Sequence, residues 1–276
     1  MVSSPTLCLV GAGNMGGAML GGWLAAGRDP GAIMVIDPKP PEPMADMIAE
    51  HGVRWVRDAK DAGRADIVLV AVKPNIIGQV LPTLTPVVDG DTVLVSVAAG
   101  IPIERLAEPF GLFDGAPAKV VRSMPNTPAM VQRGITVCVA NSGVSDAQRE
   151  DVTTLLEAIG AVEWVDDEGL IDAVTGVSGS GPAYVFHLVE ALAEAGKTAG
   201  LPNALAERLA LETVSGAGEL LRQSDLPPSQ LRINVTSPNG TTAAALEVLM
   251  GEGGFPELLE KAVAAATNRS RELAKS

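Results

Sequence analysis

The sequence predicts an α/β fold, with a doubly wound N-terminal domain followed by an all-helical C-terminal domain. Short apolar strand patterns alternate with helical patterns up to about residue 165, and alanine-rich helical patterns follow. Runs such as residues 67–72 are apolar throughout, which is typical of parallel strands that helices cover on both faces. We therefore predict two domains, residues 1–165 and residues 166–276.

The individual elements lie between glycine, proline and polar residues. Ser145 is a suitable cap for one helix, and Pro182 fits the first turn of a long helical pattern that ends at Gly200. The predicted strands are residues 6–10, 33–37, 53–56, 67–72, 92–97, 119–122, 135–140 and 162–165. The predicted helices are residues 14–26, 43–50, 76–84, 102–108, 145–159, 181–199, 204–223, 229–235, 241–250 and 256–274.

A glycine-rich turn, G-A-G-N-M-G at residues 11–16, joins the first predicted strand to the first helix. In a dinucleotide-binding turn, Gly11 allows the tight turn, Gly13 lets a pyrophosphate approach the backbone, and Gly16 lets the helix pack on the strand. Asp37 ends the next strand about 20 residues on, where a ribose-binding carboxylate belongs. A plain tight turn is the alternative, but the strand–turn–helix context favours a dinucleotide site.

Three further loops follow predicted strands. A-V-K-P at residues 71–74 and S-V-A-A-G at residues 96–100 lie at the edge of the sheet where ligands bind, so we expect both to line the cofactor rather than to be ordinary turns. In R-S-M-P-N-T-P at residues 122–128, Asn126 and Thr127 either point into a cleft or cap the backbone.

Two segments rich in glycine and hydroxyl residues precede helices in the second domain. They read S-G-S-G-P-A-Y at residues 178–184 and N-V-T-S-P-N-G-T-T at residues 234–242. Free backbone N–H groups at a helix start bind a carboxylate or phosphate well, whereas the alternative is a helix break that permits close packing. Together the segments indicate a small substrate that bears a carboxylate.

Composition excludes several classes of partner. The formal net charge is −13 and aromatic residues make up 3% of the chain, which argues against a nucleic-acid partner or an anionic membrane surface. Residues 1–27 are uncharged but lack the basic start of a signal peptide, so we predict a buried strand and helix there. Cys8 and Cys138 lie in separate predicted strands and indicate buried, reduced thiols in a cytoplasmic protein.

The sequence contains no pattern of hydrolytic or metal chemistry, such as a Ser-His-Asp set, H-E-x-x-H or paired cysteines, and we predict no metal site. Of the two histidines, His51 precedes a turn and His187 lies within a predicted helix, and we expect neither to be catalytic. The alanine-rich helical domain predicts a homo-oligomer, because such domains commonly bury surplus apolar faces against a second copy.

Over essentially its full length, the chain resembles the pyrroline-5-carboxylate reductase family. The resemblance rests on G-A-G-N-M-G-G, A-V-K-P, V-A-A-G, R-S-M-P-N-T-P, D-A-V-T-G-V-S-G-S-G-P-A-Y and S-P-N-G-T-T, in that order. It implies a Rossmann-like N-terminal domain, an all-α dimerisation domain and a homodimer that can assemble into a decamer. It also implies hydride transfer from NADPH or NADH to the imine carbon of protonated 1-pyrroline-5-carboxylate, C5 in the numbering of proline, which yields L-proline.

The resemblance further implies the site residues, with Thr242 as the catalytic residue and carboxylate contact and Glu168 near the ring nitrogen. Together with the residues already singled out in the glycine turn and after the second strand, this gives the full set of predicted cofactor-binding residues. They are Gly11, Ala12, Gly13, Asn14, Met15, Gly16, Asp37, Ala71, Val72, Lys73, Pro74, Ala98, Ala99, Gly100 and Asn234. The predicted substrate-binding residues are Glu168, Ser178, Gly179, Ser180, Gly181, Ser237, Gly240, Thr241 and Thr242.

Two departures from the family pattern bear on function. Asn239 replaces the first glycine of S-P-G-G-T-T, and asparagine tolerates a positive φ. Asp37 stands where family members often carry a neutral polar residue, which suits a 2′-phosphate. A carboxylate favours the ribose of NADH and repels that phosphate, an effect that Lys39 partly offsets. We therefore predict that NADH is used at least as well as NADPH.

Two alternative functions are compatible with the scaffold. One is another imine or β-hydroxyacid oxidoreductase, but hydroxyacid dehydrogenases of this type place a lysine on the long helix, and residues 181–195 contain none. The other is a non-catalytic NAD(H)-sensing protein, against which the intact substrate-side motifs argue.

Overall fold

The structure, a computed structural model, describes residues 5–274. By their mutual contacts these residues form two units: the N-terminal unit, residues 5–179 with 266–274, and the helical unit, residues 180–265. The predicted boundary lies earlier, after residue 165. Residues 166–179 and the C-terminal turns group with the N-terminal unit because Ile171 is buried in an apolar cluster there and Ser270 Oγ donates to Asp172 Oδ1 at 2.6 Å.

An eight-stranded sheet forms the centre of the N-terminal unit. In chain order its strands are β1 (Leu7–Val10), β2 (Ile33–Ile36), β3 (Arg54–Val56), β4 (Ile67–Val70), β5 (Val93–Ser96), β8 (Lys119–Met124), β9 (Gly134–Ala140) and β10 (Gly160–Trp164). A separate two-stranded hairpin, β6 (Leu112–Phe113) and β7 (Ala116–Pro117), precedes β8. The apolar runs therefore form strands close to the predicted positions, whereas the hairpin was not predicted.

The spatial order of the sheet is β10-β9-β8-β5-β4-β1-β2-β3. The six strands from β8 to β3 run parallel, with Leu7 of β1 in register with both Ile33 and Ile67. β9 pairs with β8 in the antiparallel direction, and β10 runs parallel to β9. The chain order reverses at β1, which lies between β2 and β4, and ligands of doubly wound sheets bind at such a switch point.

Helices cover both faces of this sheet. They are α1 (Asn14–Ala25), α2 (Glu42–His51), α3 (Pro74–Val80), α4 (Ile103–Ala107), α5 (Asp146–Glu157) and α6 (Ile171–Val174), and a π-helical turn, Thr175–Gly179, follows α6. Ser145 and Gln148 form the capping box that starts α5. Cys8 on β1 and Cys138 on β9 are buried free thiols, and burial raises the pKa of each to about 12. Both thiols are therefore neutral and unreactive near pH 7.

The helical unit contains α7 (Gly181–Thr198), α8 (Asn203–Gln223), α9 (Pro228–Asn234), α10 (Thr241–Met250) and most of α11 (Phe255–Leu273). α7 and α8 approach closely where a Cβ on Gly196 would lie 3.3 Å from the Ala206 Cβ. Large apolar side chains of this unit, including Phe186 and Leu211, are exposed in the single chain. Among the residues that the structure describes, no helix combines the length and apolarity that crossing a bilayer requires.

Candidate functional site

The glycine turn between β1 and α1 has the geometry that dinucleotide binding requires. Gly11 has φ +93°, and a Cβ there would lie 2.8 Å from Val72 Cγ1 and 2.9 Å from the Ala71 oxygen. A Cβ on Gly16 would overlap the Gly11 carbonyl oxygen, so only glycine permits this helix–strand packing. Apart from Gly13 and its two chain neighbours, no described residue has an atom within 4 Å of a Cβ built on Gly13. The backbone at Gly13 is therefore open to a pyrophosphate, and the turn fits the predicted cofactor.

The start of α1 adds a favourable field for an anion. Gly13 is the N-cap residue, no side chain caps the helix, and its first turn contains no acidic residue. The first N–H groups of a helix have no intrahelical acceptor, and the helix dipole places partial positive charge there. Phosphate oxygens can therefore bind at this end without displacing a side chain.

The predicted loop after β4 lies beside this turn, and the loop after β5 follows on the next strand of the sheet. The Ala71 N–H donates to the Val10 oxygen at 2.7 Å, and the Val97 N–H donates to the Val70 oxygen at 3.1 Å. Both loops thus continue the parallel ladder past the ends of the strands. The loops carry the predicted cofactor residues Ala71, Val72, Lys73, Pro74, Ala98, Ala99 and Gly100 to one edge of the sheet.

Asp37 lies directly after β2 and supports the glycine turn. Its Oδ2 accepts a hydrogen bond from the Ala12 N–H at 2.7 Å, and its Oδ1 accepts one from the Lys39 N–H at 2.8 Å. Beside it is a cavity of about 410 Å³, whose lining includes Arg57 and Asp58 as well as Asp37. The Arg57 guanidinium lies 5.7 Å from the centre of the Trp55 ring. The carboxylate is thus held in place at the position predicted for the ribose contact.

One carboxylate oxygen of Glu168 already accepts two hydrogen bonds. Its Oε1 accepts from the Ile103 N–H at 2.8 Å and from Arg122 Nη1 at 2.8 Å. The predicted approach of Glu168 to a substrate ring nitrogen therefore competes with two contacts inside the N-terminal unit. The sequence could not reveal this pair, because Arg122 and Glu168 are separated by 46 positions.

The segment before α7 differs from the open helix start that the sequence predicts. Ser178 and Gly179 belong to the π-helical turn, and the Ser178 hydroxyl donates to the Val174 oxygen at 3.1 Å. Ser180 has helical angles, φ −86° and ψ −21°, and precedes Gly181, the first residue of α7. Helical turns thus lead into α7 and replace the loop that would have left its N–H groups free.

The structure also decides the role of Asn126, for which two interpretations were open. Its side-chain oxygen accepts from the Ile135 N–H at 3.0 Å, so it caps the backbone of β9. The side chain is only partly exposed. The R-S-M-P-N-T-P loop therefore uses this amide to fix its own path.

In the helical unit, Ser237 and Gly240 precede α10, and Thr241 and Thr242 are its first two residues. Asn239 adopts φ +59°, a conformation that asparagine tolerates, at the position where the family has glycine. The Gly240 N–H donates to the Ser237 oxygen at 3.0 Å, and α10 starts with no side-chain cap and no acidic residue in its first turn. Asn234, a predicted cofactor residue at the end of α9, belongs to this unit and accepts from Gln230 Nε2 at 2.8 Å.

The two basic side chains of α7 each lie beside a glutamate. Lys197 Nζ lies 2.8 Å from Glu207 Oε1 and 2.9 Å from Glu194 Oε1, and these hydrogen bonds, that to Glu207 above all, raise the Lys197 pKa. His187 is exposed and lies 3.1 Å from Glu190 Oε2. Within the described chain, no group of three or more His, Cys, Asp or Glu residues could hold a metal ion.

Two family models match the chain in sequence. The model described as pyrroline-5-carboxylate reductase dimerisation matches residues 168–273, and the model described as NADP oxidoreductase coenzyme F420-dependent matches residues 6–100. The second match covers the glycine turn and the loops after β4 and β5.

Relatives and solved structures agree with these matches. A pyrroline-5-carboxylate reductase of Pseudomonas aeruginosa is 42% identical over 99% of this chain and 98% of its own length. The structure of the Coxiella burnetii reductase has a TM-score of 0.90 at 35% identity, covering 99% of this chain and 100% of that one. A Plasmodium falciparum pyrroline carboxylate reductase with NADP bound has a TM-score of 0.80 at 30% identity, covering 98% of each chain. The chain therefore belongs to the pyrroline-5-carboxylate reductase family.

Proposed function

We propose that this protein reduces 1-pyrroline-5-carboxylate to L-proline with NADH or NADPH. The observation that carries the proposal is the three-glycine turn, open at Gly13 and closed at Gly11 and Gly16, in a chain 42% identical to a Pseudomonas aeruginosa reductase of this name. The same family relation makes the alternatives, a hydroxyacid oxidoreductase or a sensing protein, less favourable. The engagement of Lys197 by two glutamates also argues against hydroxyacid chemistry.

The residues of this chain chiefly bind and orient. When bound, the dinucleotide would supply the hydride to the imine carbon of the substrate, which becomes C5 of proline. The turn at residues 11–16 and the loops after β4 and β5 hold it at the edge of the sheet. Solvent can protonate the imine before it binds, so the site need not provide an acid. Orientation and exclusion of water then supply most of the acceleration.

We infer that the substrate carboxylate binds at the start of α10. This helix has ten residues, no side-chain cap and no acidic residue in its first turn, so its N–H groups favour an anion. Thr242 is in the first turn and is partly exposed, so its hydroxyl can add a hydrogen bond. Thr242 is thus the proposed substrate contact, with Ser237, Gly240 and Thr241 around it.

Asp37 favours NADH over NADPH in this proposal. Its carboxylate accepts hydrogen bonds from the Ala12 and Lys39 N–H groups, and it lines the cavity described above, where the adenosine ribose would bind. A fixed negative charge accepts hydrogen bonds from ribose hydroxyls and repels a 2′-phosphate. Arg57 brings a positive charge to the same cavity and lessens that repulsion. We therefore expect NADH to be used at least as well as NADPH.

We further propose a homodimer, with a decamer as its larger assembly, in the cytoplasm. Exposed side chains such as Phe186, Leu209 and Leu220 offer apolar area for a second copy. Family membership supports the dimer, and the two buried free thiols are compatible with a reducing compartment. Sedimentation at micromolar concentration tests the assembly, and a monomer there would contradict it.

The activity is tested by mixing the protein with 1-pyrroline-5-carboxylate and following the loss of NADH and NADPH absorbance in parallel. The expected result is substrate-dependent oxidation of both cofactors, with NADH at least as effective. Cofactor binding without turnover would retain the nucleotide site and contradict the proposed reaction.

A further inference from the structure

Arg122 and Glu168 form an ion pair that the proposed reaction does not use. Arg122 lies on β8 with only 5% of its side chain exposed, and its Nη1 is 2.8 Å from Glu168 Oε1. Arg122 Nη2 is buried and makes no hydrogen bond with the residues that the structure describes. Because a buried guanidinium is costly without its counter-charge, Arg122 depends on Glu168.

Glu168 is also tied to a second element. The oxygen that pairs with Arg122 accepts from the Ile103 N–H, at the first residue of α4. One carboxylate oxygen thus connects β8, the start of α4 and its own segment. Mobility of the Glu168 side chain would break both hydrogen bonds together.

The segment that Glu168 starts, residues 168–179, ends at Ser178 and Gly179, which the sequence predicts to bind substrate. Ile171 within it is 1% exposed and packs in a cluster with Val137 and Val139 of β9. The Ser178 hydroxyl is turned back to the Val174 oxygen. The segment is therefore held at Ile171 by buried apolar contacts and near its end by the Ser178 hydrogen bond, whereas Leu170 and Val177 are exposed.

β8 contacts the end of this segment as well as its start. A Cβ on Gly179 would lie 2.5 Å from Met124 Cε, so Met124 packs directly on Gly179. Arg122 and Met124 are two positions apart on one strand, and their side chains therefore lie on the same face of the sheet. Side chains on one face of β8 therefore contact both the first residue of the segment, Glu168, and its last residue, Gly179.

We propose that Arg122 and Glu168 are positioning residues whose ion pair places Ser178 and Gly179 for substrate binding. Neither residue contacts the substrate or the cofactor. The inference rests on the proposed function and on the substrate-binding role that the sequence predicts for Ser178 and Gly179. In this proposal, Glu168 does not contact the substrate ring as the sequence predicts. It acts indirectly, because its ion pair with Arg122 of β8 positions the segment that ends at Ser178 and Gly179.

The test is a double-mutant cycle with R122M, E168Q and the double variant in the full-length protein. Kinetics are measured well below the melting temperature of each variant, with 1-pyrroline-5-carboxylate and NADH. Each single variant is expected to lower kcat/KM for the imine by about 10- to 100-fold, because small displacements near a reacting centre are costly. The double variant is expected to be no worse than the poorer single one, because both changes break one interaction.

Two readouts separate positioning from general destabilisation. The Kd for NADH is expected to remain within about twofold of wild type, because the glycine turn is not touched. R64M is the control, since it breaks a surface ion pair, Arg64–Asp89 at 2.7 Å, that lies before β4 and β5, at the amino-terminal ends of the parallel strands. It is expected to leave both kcat and KM unchanged.

Independent, additive losses would show that Glu168 acts apart from Arg122 and would overturn the proposal. A lower melting temperature with wild-type kcat/KM would overturn it too. If R122M does not fold, E168D retains the charge but shortens the reach, and the same loss is expected, whereas wild-type kinetics would contradict it. Wild-type turnover is measured in the same assay. No turnover by the wild-type protein would contradict the proposed function, whereas wild-type kinetics in the variants would contradict only the positioning role.

Discussion

The two units differ in how much of their apolar surface one chain buries. In the N-terminal unit, the four residues of β1 are each 3% exposed or less, and helices cover the sheet on both faces. In the helical unit, every residue of which is described, Ala193, Ala206 and Ala210 are the buried ones, whereas Leu211 and Leu220 are 57% and 55% exposed. One chain therefore completes the first core, while the second unit keeps apolar faces for another surface.

The candidate cofactor site and the candidate substrate site also differ, in whether backbone or side chains define them. The nucleotide turn is defined by backbone, because Gly11 and Gly16 leave no room for a Cβ and Gly13 leaves space for a ligand. The start of α10 combines backbone N–H groups with hydroxyl side chains. Substitutions in the first site should act through main-chain geometry, and those in the second through single side-chain contacts.

The largest effect is expected at Gly16. In G16A the added methyl overlaps the Gly11 oxygen, so the turn must shift. We expect a loss of unfolding free energy of about 1–3 kcal/mol and loss of measurable NADH binding. G17A is the matched control on the same helix, where the nearest atom to the new methyl is Met44 Sδ at 3.8 Å. It should bind NADH normally and gain up to about 1 kcal/mol, and equal behaviour of the two variants would contradict the backbone argument.

Asp37 gives the next largest effect. Removing its charge in D37S should raise the ratio of kcat/KM for NADPH to that for NADH by about tenfold or more, because repulsion of the 2′-phosphate is lost. D58N changes a carboxylate that lines the same cavity but lies 3.3 Å from Lys60 Nζ, and it should shift the ratio less. Steady-state kinetics with both cofactors provide the measurement. A clear preference of the wild-type protein for NADPH would contradict the role given to Asp37.

A smaller effect is expected at Thr242 in the helical unit. T242A should raise the KM for 1-pyrroline-5-carboxylate by about tenfold, the value of one hydrogen bond to a charged group. Its KM for NADH should stay the same. T242S retains the hydroxyl and should behave as wild type. An unchanged KM for the imine in T242A would remove Thr242 from the substrate site.

The smallest effect concerns the exposed apolar faces of the helical unit. If they bind a second copy, a tenfold rise in protein concentration should stabilise the folded protein by about 1.4 kcal/mol per mole of dimer. Urea unfolding followed by circular dichroism at several concentrations measures this shift. If the unfolding midpoint did not depend on protein concentration, the idea that a second copy covers these apolar faces would be contradicted.

Local structure could be predicted well from the sequence. α10 has the predicted bounds, and the strands differ by at most two residues at either end, because apolar runs and glycine or proline mark them locally. The direction of β9 and β10 could not be predicted, since it depends on pairing between distant strands. For the same reason the Arg122–Glu168 pair and the Asn126 cap needed the structure, whereas Gly11, Gly13 and Gly16 were recognisable from spacing alone.

The most direct test of the central claim is transfer of deuterium from labelled cofactor to product. The protein is incubated with 1-pyrroline-5-carboxylate and either (4R)- or (4S)-deuterated NADH, and the proline formed is analysed by mass spectrometry. We predict that one of the two cofactors yields L-proline with deuterium at C5, while the other leaves its label on the oxidised cofactor. Absence of labelled proline with both cofactors would contradict the account.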